Sequence, residues 1–166
     1  MIMATHIRKQ KWFTVTSLKK IDMENLIAKV CVIVNAPAEK VWNALTDPKL
    51  IEQYMFGAKV STSWEEGSEI KWSGVWEGKP FEDKGEVVKT VPAEILVYTH
   101  FSPLGGKEDK PENYHTVTIE LDAREGSTVV NLSQDGNASE NTKLHSEENW
   151  FKMLSLLKKL VEHKEH

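Results

Sequence analysis

The chain has one cysteine, Cys31, in 166 residues. A single thiol cannot close an internal disulfide, so packing alone must hold the fold. No run of about 18 apolar residues is present, as a membrane-spanning helix would need. No secretory apolar core is read near the start. Spacing signatures for chemistry are also missing: there is no P-loop, G-x-G-x-x-G, H-E-x-x-H, nucleophile elbow or C-x-x-C. His163 and His166 stand at the C-terminus, so no converging set of metal ligands can be drawn. The expectation is a cytoplasmic protein with no cofactor and no metal. An enzyme is the less favoured class, because no nucleophile–base pair can be placed.

What is present points to one globular domain. Hydrophobic residues make up 40% and charged residues 28%, enough apolar material for one core and a pocket. Six tryptophans stand against three tyrosines; rings of this size fill cores and also line apolar cavities. The net charge of −4 argues against nucleic acid as a partner. That charge is uneven. Residues 1–21 carry five Lys/Arg and no acid, while the remainder carries 16 basic and 25 acidic residues. Residues 1–22 are expected to be a basic, flexible extension, and residues 23–166 a single domain. An acid-free segment also fits an organelle-targeting peptide, but its single arginine argues against that.

Periodicity orders the elements. "NLIAKVCVIV" (25–34) is a strand by its β-branched content, with Leu26, Ala28, Val30, Val32 and Val34 on one face. Cys31 falls on the other face and is taken as a small structural hydrophobe. Asn35 or Ala36 then caps a helix with Pro37 in its first turn. Pro48 disfavours helix at Asp47, so the helix ends near Thr46 and a second short one follows. From Ala58 the period changes to 2. Strands are predicted in "AKVSTSW", "SEIKWSGVWEG", "FEDKGEVVKTV", "EILVYTHF", "YHTVTIELDA" and "STVVNLSQD". Gly78-Lys79-Pro80 is read as the turn after the second of these. After Gly136 the period returns to 3.6. Trp150, Met153, Leu154, Leu157, Leu160 and Val161 form one stripe of a helix over about 140–163, with Ser139 as its cap. The fold class is α+β: one antiparallel sheet of about seven strands, with helices on one face.

These segments carry a resemblance. "APAEKVWNALTDPKLIEQYM", "GVWEGKPFEDKGEVVKTVPAEILVYTHF" and "HSEENWFKMLSLLKKLVE" are similar, in this order, to the first helices, central strands and closing helix of the START-like (SRPBCC, helix-grip) superfamily. Within it they most resemble the activator of heat-shock protein 90 ATPase homologue group. The resemblance covers roughly residues 24–163. It implies a curved sheet gripping the long helix, a V of two short helices broken at Asp47-Pro48, and a cavity between sheet and long helix. His100 stands where that group often has tryptophan.

Candidate site residues follow from the inward faces. Period 2 puts His115 with Val117 and Ile119, His100 with Leu96 and Tyr98, and Gln134 with Val130 and Leu132. A hairpin pairing Leu96 with Ile119 sets His100 opposite His115; a shift of two residues would keep the same faces inward and set the two histidines on a diagonal. Trp72 and Trp76 share a face. Tyr54 and Phe56 lie where the chain returns to the sheet. On the long helix, Asn149 and Met153 lie one turn apart, with His145 a turn earlier. Each has a plainer alternative: the rings as core filling, the histidines as hydrogen-bonded structure. As a set they make an apolar pocket with a few polar groups, suited to a small hydrophobic or amphipathic ligand. The alternative is a protein-interaction module with a chaperone partner, as the resemblance implies. A continuous pocket of about 300 Å³ or more favours the ligand, and a filled interior favours the interaction role.

Overall fold

The structure is a computed structural model that describes residues 26–163; the extension expected at 1–22 lies outside them. In chain order the elements are β1 (Ala28–Val34), α1 (Ala38–Thr46), α2 (Pro48–Tyr54), β2 (Lys59–Ser61), β3 (Glu69–Trp76), β4 (Lys79–Val91), β5 (Ile95–His100), β6 (His115–Arg124), β7 (Ser127–Gln134) and α3 (Glu140–Glu162). The predicted succession is the one observed. The strands form one antiparallel, curved sheet in the order β1-β7-β6-β5-β4-β3-β2. Strands β2 to β7 run as a meander, and β1 joins at the far edge by pairing with β7.

Alternation decides which residues enter the core. Along β1, Ala28, Val30, Val32 and Val34 are buried while Lys29, Cys31 and Ile33 are exposed. Cys31 is therefore not a packed hydrophobe; it stands on the outer sheet face, where β1 is exposed. In β3, Ile70 and Trp72 are buried, but Val75 and Trp76 are exposed because the β3–β4 hairpin runs past the core. Its turn falls at Glu77-Gly78, both left-handed (φ 49° and 78°), and Pro80 already pairs with Val75. The turn thus lies earlier than the Gly78-Lys79-Pro80 expected from composition, because a two-residue hairpin turn with both residues at positive φ matches strand twist.

The short helices meet at Asp47. This residue ends α1, and its Oδ1 accepts from the Lys49 N–H (2.9 Å) to cap α2, with Pro48 at the first helical position. Pro37 is itself the capping residue of α1, without a side-chain cap bond, so neither Asn35 nor Ala36 takes that role. The Asn35 N–H is used elsewhere: it donates to Glu162 Oε1 of α3 (2.7 Å).

Helix α3 is capped by Ser139, whose Oγ accepts from the Thr142 N–H (3.1 Å). Its Leu154 and Leu157 are buried in the same core as Val32, Val34, Leu96 and Leu132 of the sheet. The helix also guards the edge strand β1. Lys158 Nζ donates to the Ile33 carbonyl, and Glu162 takes the Asn35 N–H. Two backbone groups that would invite another strand are thereby occupied. Asn137, just before α3, is buried; its amide donates to the carbonyls of Leu26 and Gln134 and accepts from Ser146. It ties β1, β7 and α3 together.

Two outcomes follow. Leu157 is fully buried, so Leu157→Ala is expected to cost about 2–5 kcal/mol, from lost burial plus a cavity; the urea midpoint measures it. The Glu162 carboxyl is held below the usual carboxylate range, first by the Asn35 N–H and then by Lys158. A depressed folded value means stability present above the ordinary glutamate value and lost as pH falls through the folded one. The gap in urea midpoint between wild type and Glu162→Gln should be open at neutral pH and close in acid.

Candidate functional site

Between the sheet and α3 lies an apolar chamber of about 30 Å³. Leu45 of α1, with Ile51 and Tyr54 of α2 and the adjoining Met55, forms one wall. Trp72, Leu96, Tyr98, Ile119 and Leu132 rise from the sheet. Trp150, Met153 and Leu154 descend from α3, and Trp64 closes a side. At this size the chamber has room for one or two waters. It lies far below the volume that would hold a drug-sized ligand without movement.

Two tyrosines bring hydroxyls into this apolar setting, and they differ. Tyr54 donates to the Ala44 carbonyl (2.8 Å). Tyr98 has no hydrogen-bond partner among the described residues. Burial pushes both phenols far above the usual tyrosine range, and for Tyr54 the nearby Tyr98 adds to this. Neither ionises at neutral pH, so each is available only as a neutral O–H. Elsewhere on the wall, Trp150 Nε1 donates to Gln134 Oε1 and Trp64 Nε1 to the Thr46 carbonyl (2.8 Å).

A polar row continues from the chamber across the sheet. Trp72 packs against Tyr98 (centroids 5.4 Å) and meets the His100 ring edge-on (5.2 Å). His100 Nε2 bonds Asp83 Oδ2 (2.8 Å), and Asp83 Oδ1 is buried without a partner among the described residues. The expected β5–β6 register is observed: His100 pairs with His115, Tyr98 with Val117 and Leu96 with Ile119. The two imidazoles lie 6.5 Å apart at 22°. His115 Nδ1 bonds the Asp135 carbonyl (3.0 Å). Gly85 is obligatory beneath this row, because a Cβ there would stand 1.7 Å from the Thr99 carbonyl oxygen. Among the described residues, no group of three or more His, Cys, Asp or Glu is placed to hold a metal ion.

The sequence candidates therefore divide. Tyr54, Trp72, Tyr98 and Met153 line the chamber. Gln134 reaches it through Trp150, and His100 and His115 form the polar row beyond Trp72. Phe56, Trp76 and Asn149 are exposed and do not line it. Phe56 sits in a left-handed turn (φ 54°) and meets Trp76 edge-on outside the core (6.2 Å). Asn149 follows the solvent side of α3, as does His145. Sequence reasoning missed Asp83 and Trp64. Asp83 alternates with Gly85 and Val87 on β4, a period-2 signal that places it inward. Trp64 follows β2 at positive φ (61°), for which no periodic signal exists.

The two tyrosines give a contrast testable by chemical denaturation. Tyr54→Phe orphans nothing but the Ala44 carbonyl and removes one bond, so a loss of about 1 kcal/mol is expected. Tyr98→Phe breaks no hydrogen bond among the described residues and is expected to be near neutral.

Comparison with known proteins agrees with this architecture. No curated protein matches the chain in sequence. The solution structure of ChR145 from Cytophaga hutchinsonii is 52% identical, covering 82% of this chain and 93% of that one, with a TM-score of 0.74. The Aha1 dimer from Colwellia psychrerythraea shares the fold at 20% identity, 82% and 96% coverage and a TM-score of 0.64. CalU16 from Micromonospora echinospora shares it at 20% identity, 83% and 75% coverage and a TM-score of 0.62. Residues 35–162 match the family described as Activator of Hsp90 ATPase homolog 1-like protein. With that match spanning both short helices, strands β2 to β7 and α3, the chain belongs to this family and, through it, to the START-like superfamily.

Proposed function

We propose that this domain is a binding module that admits a small hydrophobic or amphipathic ligand between the sheet and α3. The observation that supports it most is an apolar chamber whose wall residue Trp72 adjoins His100 and, through it, Asp83 Oδ1, which is buried without a partner among the described residues. A buried polar atom without a partner costs about 1–3 kcal/mol, and a bound molecule with a polar end would recover that. The chamber as it stands is a closed form. Two of its wall residues, Met55 and Met153, are methionines, and methionine re-packs more readily than any branched side chain. Helix α3 packs mainly along β1 and touches α1 and α2 only lightly. Entry from the side of α1 and α2 therefore disturbs less packing than entry along β1.

A second reading is favoured by the small chamber and by what lies outside it. Phe56, Val75 and Trp76 are exposed apolar groups at one end of the sheet, and Phe56 is held there by a backbone that a bulky residue rarely adopts. A surface of that kind suits a protein partner, and the family's description names an Hsp90 ATPase activator. In this reading the partner is a chaperone of that type, and the chamber is only packing.

Native mass spectrometry of the purified protein separates the two. Under the ligand reading, a small molecule co-purifies with wild type and is lost in Met153→Trp, which fills the chamber. If the wild type carries nothing and binds no apolar probe, the ligand reading falls. The interaction reading then requires that Phe56→Ser and Trp76→Ser abolish stimulation of a chaperone ATPase.

A further inference from the structure

Hydrogen bonding in the polar row fixes what kind of head group it can receive. This inference rests on the chamber reading above and names the ligand class. His100 Nε2 faces a carboxylate oxygen, Asp83 Oδ2, and His115 Nδ1 faces a carbonyl oxygen, Asp135 O. Both partners only accept. Each of those ring nitrogens must therefore carry its hydrogen. In the neutral imidazole the other nitrogen is then a lone pair. His100 Nδ1 and His115 Nε2 have no hydrogen bonds among the described residues. With the buried Asp83 Oδ1 they make three unpartnered acceptors among the described residues, while the row's own side chains, Asp83, His100 and His115, offer no unpartnered donor.

The row also carries negative charge. Asp83 is its one carboxylate side chain, since Asp135 enters through its backbone carbonyl while its Oδ1 is engaged by the Thr116 N–H (2.6 Å). Lys84, next along β4, is held by Asp109 in the opposite direction of alternation. A metal cation is poorly served, because no three-ligand group exists among the described residues. An organic cation with N–H donors is well served: a primary ammonium has three. Trp72 joins the two parts of the site, with Tyr98 and the chamber on one side and His100 on the other. We infer that the polar row beside Trp72 selects ligands with an apolar body and a primary amine head, over ligands of the same body with a carboxylate head. The rival state is a doubly protonated His100. It would offer an N–H instead and reverse the preference, so the comparison is decisive.

The test uses the whole chain and three matched probes: octylamine, octanol and octanoate, titrated at about pH 8, above the ordinary imidazole value. Tryptophan fluorescence reports on the chamber, and imidazole NMR signals report on His100 and His115. The expected result is octylamine binding at least about tenfold more tightly than octanoate, with both imidazoles perturbed. Asp83→Asn, and independently His115→Gln, should collapse that ratio while leaving octanol binding unchanged. Equal or tighter binding of octanoate overturns the head-group inference and leaves the chamber reading standing. A ratio that survives both variants also overturns it. Failure of all three probes to bind overturns the inference and the chamber reading together.

Discussion

Burial of one face of α3 is the constraint on which the rest depends. A curved sheet of seven strands presents a large apolar concave face, and the long helix covers it together with α1 and α2. Leu154 and Leu157 are the central contacts. Once they are seated, the neighbouring turns of α3 fall along β1. Lys158 and Glu162 then occupy the free backbone groups of that edge. One docking event therefore closes the core and blunts an edge. Asn137 fixes the approach, because it bonds to β1, β7 and α3 at once.

The chamber is the space that this docking leaves. Its walls come from every layer, so no single element encodes it. Its small volume reflects aromatic and methionine side chains meeting across it. Within it, the difference between Tyr54 and Tyr98 is chemical rather than positional. Both are buried, but only one finds a carbonyl. The same asymmetry recurs in Asp83, where one oxygen is satisfied by His100 and the other is not. Buried polar atoms are nearly always bonded, and Asp83 Oδ1 is the exception among the described residues.

Much of the fold was legible before any coordinates. Strict alternation in β1 and β5–β6 told buried from exposed faces residue by residue. That alternation also limited the His100–His115 register, since a one-residue slip would turn Leu96 and Ile119 outward. The helical stripe of α3 and the Asp47-Pro48 break were equally direct. The errors share a cause. Trp76 continues the inward face of β3, and Asn149 stands a turn before Met153, but a face is only buried while something covers it. Phe56 was placed by proximity in sequence, and a left-handed turn carried it outside.

The sequence by itself determined the class of fold, the order of elements and the strand faces, and it narrowed the register of the central hairpin to even shifts. These follow from local period and turn chemistry, which act over a few residues. Only the tertiary structure decided how far each face remains covered, which tyrosine hydroxyl is partnered, and that Asp83 stands beside His100. That last pairing joins residues 17 apart in the chain, and it forms because Gly85 lets β4 and β5 approach where any side chain would collide with Thr99. Such contacts depend on the curvature of the sheet and the seat of α3, which no local pattern records.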